Sequence, residues 1–162
     1  MRVSASAETR YEHGDAIDNG VATEMWAVLP TTGPGRFVTK VRVATLFEDT
    51  QNRFYEVGGD TGLRGYETGQ FTGPRRLQWS AEFRTKPVDV GFLRVGGVGF
   101  YDLGGAAATF SDMKLYQDVG VGMRVLIPQT STEVLRIDWA LPLETYHGGF
   151  PGRITAGFLQ AF

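Results

Sequence analysis

The sequence predicts an all-β fold: one antiparallel sheet of eight strands, arranged as a transmembrane barrel. Three observations lead there. Apolar and polar residues alternate with period two along most of the 162 residues, as in strands with one apolar and one polar face. Glycine is abundant at 22 residues and aromatics make up 12%, a pairing of turn formers with strand formers. The connections alternate between long and short, as in barrels with long loops on one rim and short turns on the other.

The strands follow in order. Residues 2–12 set Val3, Ala5, Ala7, Thr9 and Tyr11 against Arg2, Ser4, Ser6, Glu8, Arg10 and Glu12. Residues 21–29 are apolar on both faces except for Glu24. Residues 36–47 set Phe37, Val41, Val43 and Phe47 against Lys40 and Arg42, and residues 76–85 set Leu77, Trp79 and Phe83 against Gln78, Ser80, Glu82 and Arg84. Residues 91–102 are glycine-rich but keep Leu93, Val95 and Tyr101 opposite Arg94 and Asp102. Residues 117–127, 134–143 and 153–162 alternate throughout, with Asp118 and Arg124, Arg136 and Asp138, and Arg153 on their polar faces. Residues 13–20, 48–75, 103–116 and 144–152 are expected to form long loops, and 30–35, 86–90 and 128–133 short turns. An even strand count puts both termini at the short-turn rim.

Composition narrows the function. A formal charge of −2 argues against a nucleic-acid partner. The absence of Cys excludes disulfides, thiolate metal sites and thiol nucleophiles. The start, MRVSASAETR, is charged and alternating and does not read as a signal peptide. No run of about 20 apolar residues suggests a membrane helix, but a membrane strand needs only about 9–11 alternating residues. Alternation fits a membrane barrel, with lipid outside and charges inside, and equally a soluble lipid-binding barrel, with the faces reversed. Trp79, Trp139, Phe37, Phe47, Tyr11 and Tyr101 lie on the apolar face, where aromatic girdles would lie.

Residues 58–73, GGDTGLRGYETGQFTG, carry a more specific signal. They resemble the large extracellular loop of the BamA-type outer-membrane barrel superfamily, which includes barrel insertases, two-partner secretion transporters and bacterial surface-antigen barrels. The family motif is an aliphatic residue, Arg, Gly and an aromatic, here Leu63, Arg64, Gly65 and Tyr66. AEFR (81–84), with Glu82, resembles the strand after that loop, and GFYDLG (99–104) resembles the Phe-x-Asp-x-Gly strand through Phe100, Asp102 and Gly104. VGVGMRVLIP (119–128) and LRIDWALPL (135–143) resemble the next two strands, and Phe162 with Phe158 resembles the C-terminal outer-membrane signal.

Family barrels have about 16 strands, preceded by soluble polypeptide-transport repeats. Eight strands, with the motif loop between the third and fourth, match the C-terminal half. The resemblance thus implies a natural short member, an excised half or an engineered product. In lipid its edges must be satisfied, by closure on itself or by pairing with a second copy. It also implies that the loop folds into the lumen and that Arg64 pairs with Asp102 near Glu82. A guanidinium, with five donors in a rigid fork, suits carboxylates. Arg84, Arg94, Arg124, Arg136 and Asp138 lie on polar faces and are expected to form a lumenal ion-pair network.

An enzyme is not expected. His13 and His147 fall in different loops, no Gly-x-Ser-x-Gly occurs, and GGDTGLRG lacks the Lys-Ser/Thr of a phosphate loop. No catalytic residue, cofactor or metal site is assigned. The implied role is outer-membrane protein insertion or polypeptide translocation in a reduced form, through seam opening and membrane thinning. Its partners would be outer-membrane lipids, a second copy and client outer-membrane polypeptides. The other readings are a passive structural or anchoring barrel and an engineered half-barrel without transport activity.

Overall fold

The computed structural model describes residues 1–13, 15–31, 33–47, 49–128, 133–144 and 151–160. Its strands are β1 (Arg2–Glu12), β2 (Asp15–Pro30), β3 (Gly35–Phe47), β4 (Tyr55–Val57), β5 (Phe71–Gly73), β6 (Arg75–Thr85), β7 (Val88–Val90), β8 (Leu93–Ala107), β9 (Tyr116–Leu126), β10 (Glu133–Pro142) and β11 (Arg153–Gln160). The main sheet runs β1-β2-β3-β6-β8-β9-β10-β11, with β7 paired to β8, while β4 and β5 form a separate ribbon inside the long loop. Every pairing is antiparallel. The eight long strands correspond to the eight strand segments read from the sequence, although β8 runs on to Ala107, into the expected 103–116 loop.

The sheet is not closed, so the self-closed alternative is not what the chain forms: among the described residues β1 and β11 pair only inward, with β2 and β10. Two further expectations need correction. Residues 13–20 are not a long loop, because β2 begins at Asp15 and Glu12 pairs directly with Asp15. The alternation fails there because the register shifts between Glu8 and Arg10, and Asp18 sits at φ 55, a β-bulge that turns one residue out of the ladder. Residues 86–90 are not simply a turn. Val88–Val90 pair with Leu93–Val95, and the hairpin reverses at Gly91 and Phe92.

The two faces of the sheet differ sharply. On the convex face Leu29, Phe37, Trp79, Val121, Ile154 and Phe158 are 38–71% exposed. On the concave face Gln78, Asp102, Asp118 and Asp138 are 0–5% exposed. A soluble sandwich buries its apolar face and exposes its charges; this sheet does the reverse.

The concave face is tightly curved. Glu82 on β6 and Asp138 on β10 lie three strand spacings apart, about 14 Å in a flat sheet. Both nevertheless meet Arg64 Nη1, at 2.8 and 3.1 Å. One cavity of about 950 Å³ is lined from β1 through β10, so the wall curls around a common space.

Candidate functional site

The long loop does not project away from the sheet; it folds back across the concave face. The β4–β5 ribbon forms its stem, and a 3-10 turn at Gly59–Thr61 reverses the chain. Gly59 has φ 59, a left-handed conformation that glycine adopts without steric cost. Its N–H donates to the carbonyls of Leu63 and Tyr66, at 2.7 and 3.1 Å, closing the tip on itself. The tip has its own apolar core: Val57, Leu63 and Tyr66 are 0–3% exposed and pack against Phe71, Ala106 and Tyr116. Phe71 and Tyr116 stack at 3.9 Å, and Tyr66 meets both edge-on. That core seats the tip on β8 and β9, and its rigidity fixes the direction of Arg64.

All five guanidinium N–H donors of Arg64 find acceptors. Nε and Nη2 donate to the two oxygens of Asp102, at 2.7 and 2.9 Å. Nη1 donates to Glu82 and Asp138, at 2.8 and 3.1 Å, and Nη2 also reaches Ser80 Oγ at 3.3 Å. The flat face lies 3.4 Å from the Phe100 ring centroid, a cation–π contact. Burial opposes the charge, but the hydrogen bonds and charge of Asp102, with Glu82 and Asp138, outweigh it and raise the guanidinium pKa further. The group is a fixed cation at any working pH.

The wall is shaped to receive it. Phe100 lies opposite Gly120, and Asp138 opposite Gly122. A Cβ on either glycine would collide with the ring or with the carboxylate, so these two positions let Phe100 and Asp138 lean over β9 toward Arg64. The carboxylates have further partners: Glu82 takes Arg84 at 2.6 Å, and Asp138 takes Arg124 and Arg136 at 2.5 and 3.5 Å.

The remaining contacts fasten the loop at both ends of the sheet. Gly65 N–H donates to Asp118 at 2.9 Å, and the Tyr66 hydroxyl donates to Glu144 at 2.7 Å. Burial and Glu144 raise the Tyr66 pKa above its ordinary value. Arg136 meets Asp60 at 2.5 Å, and Arg153 on β11 donates to the Tyr66 carbonyl and to Thr68 Oγ1. At the other edge the buried Asp18 accepts from Thr50 N and Oγ1, at 2.6 and 2.8 Å, and Arg53 bridges Asp49 and Glu8, each at 2.8 Å. The Asp49 hydrogen bond is the main cause that raises the Arg53 pKa.

The structure therefore brings Leu63, Arg64, Gly65 and Tyr66 onto the concave wall, with Arg64 against Asp102 and Glu82. Arg84, Arg124, Arg136 and Asp138 join the same network, whereas Arg94 pairs separately with Asp89 at 2.8 Å. Asp118, Ser80 and Phe100 also hold the motif. Their signal in the sequence was their shared parity on the polar faces of adjacent strands. Phe158 is 71% exposed on the convex face, while Phe162 and His147 lie outside the described residues. His13 sits in the β1–β2 turn at φ 52. No protein-family model matches the chain, and no curated protein matches it.

Proposed function

We propose that the chain is a bacterial outer-membrane wall subunit whose eight long strands cross the bilayer as half of a barrel that a second copy completes. We assign that barrel to outer-membrane protein insertion or polypeptide translocation, in the reduced form implied by the resemblance to BamA-type barrels. The observation that carries this reading is the polarity of the sheet: apolar side chains exposed outside, charges gathered inside. This is the solution that lipid demands.

The second copy follows from the edges. An unpaired strand edge cannot remain in lipid, and among the described residues β1 and β11 are unpaired on their outer sides. The two strands run antiparallel to each other across an even-stranded wall. A two-fold axis along the barrel therefore joins β1 of each copy to β11 of the other, with both long loops on one side. The same edges suit strand addition by an incoming polypeptide. The loop's attachments to both ends of the wall favour a second reading, a passive structural barrel.

Brominated-lipid quenching tests the membrane. Trp79 and Trp139 on the convex face should be quenched in a Trp26→Phe background, which removes the concave-face tryptophan. Unquenched emission sinks the membrane reading. Light scattering in detergent should give twice 17.8 kDa; a monomer removes the second copy. In vesicles, faster insertion of a small barrel client than into empty vesicles supports the insertase role. An unchanged rate leaves the passive wall.

A further inference from the structure

We propose that the concave wall carries a binding site for a phosphate-bearing polyanion, at the short-turn end of the large cavity. Among the described residues, seven Lys and Arg side chains line that cavity, against two carboxylates, Glu24 and Glu82. Those carboxylates are already shared. Glu24 serves Lys40 and Arg42, at 3.3 and 2.6 Å, and Glu82 serves Arg64 and Arg84, at 2.8 and 2.6 Å. Asp138, just above, is divided among Arg64, Arg124 and Arg136. Arg36 and Arg2 have no ion pair among the described residues.

The register adds to the excess. Arg36 stands directly opposite Arg84, and Arg124 directly opposite Arg136. Like charges in opposed positions destabilise a sheet, and here two such pairs face one space. The Arg124–Arg136 pair has Asp138 between its members, but the Arg36–Arg84 pair has only Glu82, on one side. An oxyanion between Arg36 and Arg84 would accept from both forks, the geometry guanidinium groups use for phosphate. The cavity is far larger than one phosphate, and Lys40 and Arg124 line its wall, so a ligand bearing several phosphates fits its charge. The site rests on the wall of one chain and does not require a second copy or a bilayer.

The test uses the full chain in uncharged detergent at low salt, with inorganic triphosphate as the probe in calorimetric titration. Saturable binding with a dissociation constant below about 100 µM is expected, weakening steeply with added salt. Arg36→Gln should weaken it at least about tenfold, because one of the two forks is lost. Its melting temperature without ligand should be no lower than that of the parent, because a like-charge opposition has been removed. Arg75→Gln, at the long-loop end where Arg75 meets the Ala108 carbonyl, should bind as the parent does. Adding an anionic phospholipid to the micelles separates the sources. Displacement of triphosphate identifies a lipid headgroup as the natural occupant, and undisturbed binding identifies a soluble anion. No saturable binding at low salt, or equal affinity in Arg36→Gln, overturns the proposal.

Discussion

Replacing Arg64 by Ala tests the core of the site, and the structure sets the size of the effect. Arg64 is 5% exposed and holds three carboxylates at once. Once it is removed, Glu82 keeps Arg84, and Asp138 keeps Arg124 and Arg136. Asp102, 1% exposed, is left without a cation among the described residues: it keeps the Ser80 hydroxyl at 2.5 Å and the side chain of Asp118, which stands directly opposite. The loss is therefore dominated by one uncompensated buried carboxylate, and breaking such a pair costs about 3–5 kcal/mol. Exchanging that carboxylate for an amide removes most of the penalty. The double variant Arg64→Ala/Asp102→Asn should thus be about 1–3 kcal/mol more stable than the sum of the single effects. Arg64→Lys should fall between parent and Ala, because an ammonium keeps the charge but offers three donors and cannot span three acids. Reversible urea unfolding in detergent, followed by tryptophan fluorescence, measures each corner of the cycle. If Arg64→Ala unfolds within about 1 kcal/mol of the parent, or if the two substitutions simply add, the account of the site is wrong.

Gly65→Ala should unseat the loop tip, because its Cβ would press on Asp118 Cβ and on the β10 backbone at Pro142. A loss of about 1–3 kcal/mol is expected, with new protease cleavage between residues 58 and 70; an uncleaved loop would refute it. Tyr66 titrates above its ordinary value in the folded chain, so its contribution is full below about pH 10 and is lost as pH rises beyond that. Unfolding titrations between pH 9 and 11 (roughly the range of a free tyrosine) should show stability falling, and Tyr66→Phe should flatten the slope. An unchanged slope would exclude Tyr66 as its source. Asp18→Ala should free the other end of the loop, since it removes the acceptor for Thr50 N and Oγ1. Limited proteolysis should then cut near residues 49–54 while the tip stays protected, and simultaneous release of the tip would show that the two anchors are not independent.

Most of the long strands were legible because period two survives in them, though β2 is apolar on both faces over residues 21–29 except for Glu24; parity alone put Arg84, Asp102, Asp118, Arg124 and Asp138 on one face. The Leu63–Tyr66 motif was legible through resemblance. The resemblance also implied Asp102 and Glu82 as the acids beside Arg64; Asp138 as a third was not expected there, because it comes together with Glu82 only through curvature, and neither parity nor spacing encodes curvature. The first part of β2 was hidden by the bulge at Asp18, which breaks the alternation by turning one residue out of register. β7 was hidden behind Pro87, a residue that cannot donate to a ladder, so the hairpin tip fell at Gly91 and Phe92 instead. The cationic excess of the cavity was invisible for a different reason. The chain is nearly neutral overall, and only the fold separates the signs.

The order of the sheet bears on how the chain assembles. Each long strand pairs with the long strands before and after it in the chain, so the wall can grow hairpin by hairpin from nearby partners, the quick route for a β protein. The contacts of Arg64 span 18, 38 and 74 residues, to Glu82, Asp102 and Asp138 in turn. Each waits for a later piece of wall, and each longer closure costs more chain entropy. The loop is therefore captured in stages as the strands arrive, and the last carboxylate reaches it only with β10. A single guanidinium thus acts as a clock: its coordination is complete only when the wall nears its end.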